Sequence, residues 1–323
     1  MLKLLVTGCA GFIGSQLCTR LLTQTTPLGP VELHGVDCFD DTLYPASLHR
    51  AQLLPLMSEP NFHFTAGDIG DGELMGRLVA GMDGVVHLAA LAGVRPSLRQ
   101  AARYLRVNVE GTQRVLDACA SRGVRRIVFA SSSSVYGARS EVPFRETDPA
   151  VTPASPYAAS KRAGELLCTT HSALHGATIC ALRFFTVYGP HQRPEMAIAK
   201  FARLIEEGAK VPLFGDGQTA RDYTYIDDIL DGVIAAIART ADPTLGCRSY
   251  NLGGSQVTTL VELVGLLELA LGKTADIQWL PEQPGDVPLT CADLTRSTAE
   301  LGYAPKVPLA AGLDRYCQWL RRG

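Results

Sequence analysis

The chain has 323 residues, with 30 Lys or Arg against 32 Asp or Glu and a formal net charge of −2, a balance that offers nucleic acid or an anionic surface no general attraction and favours a small-molecule ligand. Its length can bury a large core, in one sizeable α/β domain or in two lobes. Nine cysteines, an odd number without a C-x-x-C pair, argue against a disulfide framework and for reduced thiols in the cytoplasm.

Met1 leads straight into LKLLVTG, with no order of basic segment, apolar core and cleavage site, so no leader is expected. Leu2 to Val6 reads as a buried strand. Gly8-Cys-Ala-Gly11-Phe12-Ile13-Gly14 follows at once and opens a helix with Phe12, Ile13, Leu17, Leu21 and Leu22 inward. Glycines at 8, 11 and 14 let the backbone approach a pyrophosphate, whose charge the helix N-terminus holds. A merely structural tight turn is the competing reading. The second strand, Val31 to Val36, ends in Asp37, 23 residues beyond Gly14. An acid there accepts both ribose hydroxyls of adenosine and repels a 2′-phosphate, so NAD is expected rather than NADP.

Residues 40 to 60 read as an irregular excursion with some helix. A third strand, Phe62 to Thr65, precedes Asp68, a candidate for the adenine edge, with Ile69 beside it. Helix Glu73 to Ala80 leads to strand Val85 to Leu88 and the turn HLAALAGVR. There the small Ala89, Ala90 and Gly93 permit close approach to a cofactor, or only tight packing, and Leu88 is a further cofactor candidate. Apolar runs such as Val85 to Val94 are too short to span a bilayer. His87 reads as a satisfied strand-end histidine. A long helix is expected from Leu98 to Ser121, with Val109, Thr112, Val115, Leu116 and Cys119 on one stripe and Asn108 turned to the cofactor side. The Arg122, Arg125, Arg126 group decorates its end.

Strand Arg126 to Ala130 delivers the run SSSSVYG, and SPYAASK opens the next helix, Tyr157 to Leu174. Tyr157 and Lys161, four residues apart, lie on one helix face, so the ammonium can reach toward the phenol. Making that phenol ionise near neutral pH requires about 4 kcal/mol, which one ammonium and a cationic nicotinamide in a dry site can supply. Ser132, 25 residues upstream, completes a constellation that an exposed helix face would not explain. His171 and His175 are spaced like metal ligands, but HSALH lacks the Glu of H-E-x-x-H. They are read as solvent-facing, and no metal site is read from the sequence.

Thr178 to Phe184 is a sixth strand, and strand and helix have alternated to this point, which argues a doubly wound parallel Rossmann sheet. After Phe185 the elements shorten: a loop-like TVYGPHQRPEM, helix Ala197 to Glu207, strand Val211 to Phe214, segment Arg221 to Ile226, helix Asp228 to Arg239, strand Ser249 to Leu252 and helix Thr259 to Leu271. The expected division is an NAD-binding domain over 1–185, with a return near 222–250, and a smaller α/β substrate lobe over 186–323.

VTGCAGFIGS, HLAALAGVR, NVEGT, SSSSVYG, SPYAASK, LRFFTVYGP, RDYTYIDD and YNLGG together resemble the extended short-chain dehydrogenase/reductases, and within them the NAD-dependent nucleotide-sugar epimerases. The resemblance implies a catalytic triad of Ser132, Tyr157 and Lys161, a role for Asn108 near the site, and Arg221 on the substrate diphosphate. Arg95, Ser133 and Ser134 are further substrate candidates. Relatives that dehydrate or decarboxylate usually carry an acid in the T-D-E-V-Y-G segment, which this chain lacks. TVYGPHQRPEMA, together with PGDVPLTCAD around Asp286, is similar to the branch that epimerises UDP-glucuronate. There Thr186 and Arg193 would grip the sugar carboxylate; Glu195 stands where that branch has Asp. The implied reaction is C4 epimerisation of a UDP-hexuronic acid through a 4-keto sugar. Epimerisation of a neutral UDP-hexose, decarboxylation of UDP-glucuronate and a non-catalytic NAD-binding regulator are the alternatives. A homodimer through the two long helices is implied, with no nucleic-acid or membrane partner.

Overall fold

The computed structural model describes residues 1–139, 141–282 and 287–322; Asp286 lies outside the described residues. The first half alternates strand and helix: β1 (Leu2–Thr7), α1 (Phe12–Thr23), β2 (Val31–Asp37), α2 (Ala46–Leu53), β3 (Phe62–Ala66), α3 (Gly72–Leu78), β4 (Gly84–His87), α4 (Val94–Arg99), α5 (Ala101–Leu105), α6 (Gly111–Arg122), β5 (Arg126–Ser132), α7 (Pro156–His175) and β6 (Thr178–Phe184). The second half has β7 (Thr186–Tyr188), α8 (Ala197–Glu207), β8 (Lys210–Phe214), β9 (Ala220–Tyr225), α9 (Ile226–Arg239), β10 (Cys247–Leu252), β11 (Val257–Thr259), α10 (Leu260–Leu271), β12 (Asp276–Leu280), α11 (Thr295–Leu301) and α12 (Leu309–Leu320).

Seven parallel strands form the main sheet in the order β10-β6-β5-β4-β1-β2-β3. Both of its faces are covered, so its central strands are apolar throughout; β6 is buried at every position. Leu4, Val6, Leu33 and Val128 face a core shared with α1 and α9, while Leu5, Val85, Ile127 and Ile179 face a second one filled by Val115, Leu116 and Cys119 of α6. The chain builds outward from β1 to β3, then crosses back to β4. The crevice between the ends of β1 and β4 is therefore a topological switch point, where α/β sheets place ligands. Beyond it, β11-β9-β7 form a three-stranded sheet and β12 pairs with β8.

Three expectations are corrected. The helix expected over 98–121 is broken at Gln100, whose backbone leaves the helical region, and residues 106–110 form a π turn before α6. Asn108 lies in this π turn, and its side chain bonds outside its own helix, as described below. TVY, expected as loop, is strand β7, because Thr186, Val187 and Tyr188 pair with Tyr223, Thr224 and Tyr225 of β9. His171 is buried, its ring 4.7 Å from that of exposed His175. Among the described residues no helix is long and apolar enough to cross a membrane, and all nine cysteines are free thiols.

Candidate active site

The turn after β1 is held open at the switch point. Gly8 has φ +72°, and a Cβ on it would stand 2.7 Å from the Ala89 backbone nitrogen; a Cβ on Gly14 would stand 2.1 Å from the Gly8 carbonyl oxygen. Both contacts require glycine, one for the approach of the loop after β4 and one for seating α1. Gly11 caps α1 without a side-chain bond, so the first-turn N–H groups of Phe12, Ile13 and Gly14 have no intrahelical acceptor and form an anion site. The Phe12 side chain itself is buried.

Asp37, at the end of β2, faces this turn. Its Oδ2 accepts from Ala10 N at 3.0 Å and its Oδ1 from Phe39 N at 2.8 Å, which fixes both oxygens and leaves each a lone pair. Beside it, His49 is 8% exposed, stacks on Tyr44 at 4.2 Å, and keeps a buried Nε2 without a hydrogen-bond partner. Unsatisfied helix donors, a fixed acid and an orphaned imidazole nitrogen around one crevice fit a dinucleotide. Leu88, Ala89 and Ala90 line its far wall, with Ala89 N donating to Thr7 Oγ1 at 3.2 Å. Exposed Asp68 accepts from Gly70 N at 2.8 Å, while the Ile69 side chain is committed to the core against Gly111. His87 is satisfied by Thr7 at 2.7 Å and Thr112 at 3.0 Å, and burial pulls its pKa down to about 3.

Strand β5 ends on Ser132, and α7 begins where Ser155 accepts from Ala158 N at 3.1 Å with Pro156 in the first turn. Tyr157 thus sits in the first turn of α7, where the helix dipole favours an anion. Ser132 and the positive charge of Arg193 both favour the ionised form of its phenol. Burial outweighs both and holds the phenol above its ordinary range. Tyr104 meets it edge-on at 6.2 Å. Lys161 is buried one turn further on, and its Nζ donates to the Ala130 carbonyl at 2.7 Å rather than to the phenol. Desolvation lowers the ammonium to about 8.

Asn108 does not offer its amide to the crevice. Its Oδ1 accepts from Leu91 N at 2.8 Å, and its Nδ2 donates to Leu91 O and to Ser160 Oγ, both at 2.9 Å. The residue ties the loop after β4 to α7, across the π turn.

Glu165, one turn beyond Lys161 on the same face of α7, went unnoticed in the sequence. Its carboxylate receives a fork from Arg183 of β6 at 2.8 and 2.9 Å, Ser131 Oγ at 2.6 Å and Arg162 at 2.8 Å. These bonds hold its pKa low despite burial. Ser131 adjoins Ser132, so the network sets how α7 lies against the end of β5. Removing one charge leaves the buried Arg183 uncompensated. Glu165→Gln is expected to lower stability by about 3 kcal/mol or more, read as the urea midpoint; an unchanged midpoint would remove the network from this role.

On the opposite wall, Arg193 precedes α8. Its buried Nη1 is ion-paired with Glu195 Oε1 at 3.3 Å, and its Nη2 lies 3.2 Å from Met196 Sδ. Arg95 of α4 stacks on Phe214 of β8 at 5.4 Å, and so reaches from the main sheet to the smaller strand pair. Thr186 starts β7, Arg221 lies on β9 opposite Thr258, and Ser133 and Ser134 form the turn after Ser132. Asp222, also overlooked, is fully buried and accepts from Gly254 N, Ser255 N and Ala292 N at 2.6 to 3.0 Å. It ties two segments of this wall, at 254–255 and at 292, to β9.

A glycine turn at a switch point, an acid ending β2 and a Ser–Tyr–Lys cluster at the ends of β5 and α7 define a dinucleotide-dependent enzyme of the short-chain dehydrogenase type. Residues 4–253 match the model of the NAD dependent epimerase/dehydratase family, and the chain belongs to that family. It is 38% identical over 318 residues to a UDP-glucuronate 4-epimerase of Thermodesulfobacterium geofontis, covering 98% of this chain and 95% of that protein. Its fold superposes with TM-score 0.92 and 35% identity on the Bacillus cereus UDP-glucuronic acid 4-epimerase, solved with UDP-glucuronic acid and NAD, over 99% of each chain. A Streptomyces venezuelae dTDP-glucose 4,6-dehydratase solved with NAD matches with the same TM-score at 33% identity, over 100% of this chain and 98% of that one.

Proposed function

We propose that the chain interconverts UDP-glucuronate and UDP-galacturonate by NAD-dependent epimerisation at C4. The observation that carries the choice of a uronic acid is Arg193, a largely buried guanidinium whose positive charge acts on Tyr157, so that an acidic sugar held at the phenol lies within reach of a cation. When bound, NAD supplies the oxidation of C4 and its later reduction. Gly8, Gly11, Gly14 and the first turn of α1 would hold its pyrophosphate, Asp37 its adenosine ribose, and Lys161 the ribose beside the nicotinamide. Asp68 and the backbone of Ile69 are assigned to the adenine edge.

Tyr157 removes the proton from the C4 hydroxyl and returns it on the other face after the sugar has turned. Ser132 hydrogen-bonds the developing C4 oxygen. The smaller lobe, most of 186–323 apart from α9 and β10, holds the UDP portion through Arg221 while the sugar stays free to rotate, and Arg95, Ser133 and Ser134 border its path. A 4-keto uronate loses CO₂ when its carboxylate bond aligns with the carbonyl π-system, so Arg193 and Thr186 hold that group out of alignment.

Incubation with UDP-glucuronate in heavy water, followed by proton NMR, is expected to give UDP-galacturonate without pentose and without deuterium at C4. Pentose in the wild type would instead indicate decarboxylation. Arg193→Ala is expected to turn over more slowly and to divert product to pentose and CO₂; clean epimerisation by that variant would refute its assigned role. The exposed Leu98, Leu105, Leu166 and Leu174 on α4, α5 and α7 support a homodimer through these helices, and a single-chain mass in light scattering would overturn it. The nine free thiols support a cytoplasmic setting.

A further inference from the structure

Far from the crevice, the sheet edge carries a second group of chemistry-bearing side chains. Strand side chains alternate, so Glu32 and His34 of β2 share one face, opposite to that of Asp37. β3 is the terminal strand, and its register sets His63 directly beside His34. The two rings lie 4.8 Å apart. Glu32 leans between them, with Oε1 3.1 Å from His34 Nε2 and 3.8 Å from His63 Nε2. All three donor atoms fall within 4.8 Å of one another.

We propose that Glu32, His34 and His63 bind one zinc-class divalent cation that clips β3 to β2. Donor atoms around tetrahedral zinc stand roughly 3.3 Å apart, given bonds of about 2.0–2.1 Å. The Glu32–His34 pair already meets that spacing, and the half-exposed His63 ring has room to close the rest by rotating. Two imidazole nitrogens and one carboxylate oxygen select zinc, nickel or copper over magnesium or calcium, which take oxygen donors. Without a cation, the Lys3 ammonium compensates the carboxylate from 3.2 Å. Lys3 is nearly half exposed and swings into water at small cost, so it competes with the cation without excluding it. The clip serves the edge strand, whose free backbone groups are otherwise open to pairing with another chain. No step of the epimerisation is routed through it.

The test is titration of the untagged full chain with zinc chloride by calorimetry, with cobalt(II) absorption as a second readout. One equivalent per chain is expected, with a rise in Tm and a cobalt spectrum without a thiolate charge-transfer band. His63→Ala should weaken binding about tenfold or more while leaving epimerase turnover unchanged. Lys3→Met should tighten it about tenfold or more, the repulsion between one ammonium and a doubly charged ion at this range in water. A thiolate band would place the ion at a cysteine such as exposed Cys38. That outcome, the absence of saturable binding, or binding indifferent to His63→Ala would each overturn the proposal.

Discussion

Tyr157→Phe is expected to lower kcat by about 10²–10⁴-fold, the usual contribution of a positioned acid–base group, with the fold and the affinity for NAD retained. The substitution removes one oxygen and keeps the ring that meets Tyr104 edge-on at 6.2 Å, so packing changes little. What disappears is the phenol oxygen on which Ser132 and the charge of Arg193 both act. In the free chain burial raises the phenol above its ordinary range, so ionisation is not pre-set by the protein alone. The bound dinucleotide, the α7 dipole and the nearby cations together must supply the difference. An NMR assay of UDP-glucuronate turnover, run beside a fluorescence titration with NAD, checks both halves. Turnover within a few-fold of wild type would show that another group moves the proton.

The parts of this site that lie close together in sequence were readable there. The glycine turn, Asp37 after its strand and the Tyr157–Lys161 spacing each follow from the geometry of a single element. Less legible was the direction in which side chains point. Lys161 is on the expected helix face, but its Nζ turns to the Ala130 carbonyl of β5. That partner is known only once α7 is packed on the sheet. Asn108 reads as a polar residue near the cofactor, whereas its amide is spent on Leu91 and Ser160 from within the π turn. Glu165 and Arg183 sit 18 residues apart on different elements, and nothing local marks either as paired. An acid at the i+4 position beyond Lys161, on the same helix face, was the available signal. For Asp222 it was a carboxylate within a strand that is otherwise buried.

Lys161→Met is expected to abolish most turnover, by about 10²-fold or more, while making the chain more stable at neutral pH. Burial lowers this ammonium from 10.5 to about 8. Its folded pKa lies below its unfolded one, so its favourable balance is complete above 10.5 and is lost as the pH falls through about 8. At pH 7 the wild-type chain therefore keeps a charged group that the fold disfavours by roughly 3 kcal/mol. Part of that is recovered in the mutant's deficit, because Met leaves the Ala130 carbonyl without its donor, at a cost of about 1–2 kcal/mol. The net expectation is a gain on the order of 1–2 kcal/mol at pH 7. It shrinks, then reverses, as pH approaches 10.5, where the wild type no longer carries the penalty. Thermal melts of both proteins at pH 7 and pH 10 check the sign and the trend. A variant less stable at pH 7 would mean that the Lys161–Ala130 bond outweighs the desolvation, and that the lysine serves the fold. A more stable, inactive variant would identify a cation kept against the stability of the chain, which is how a group that serves the site rather than the core is distinguished.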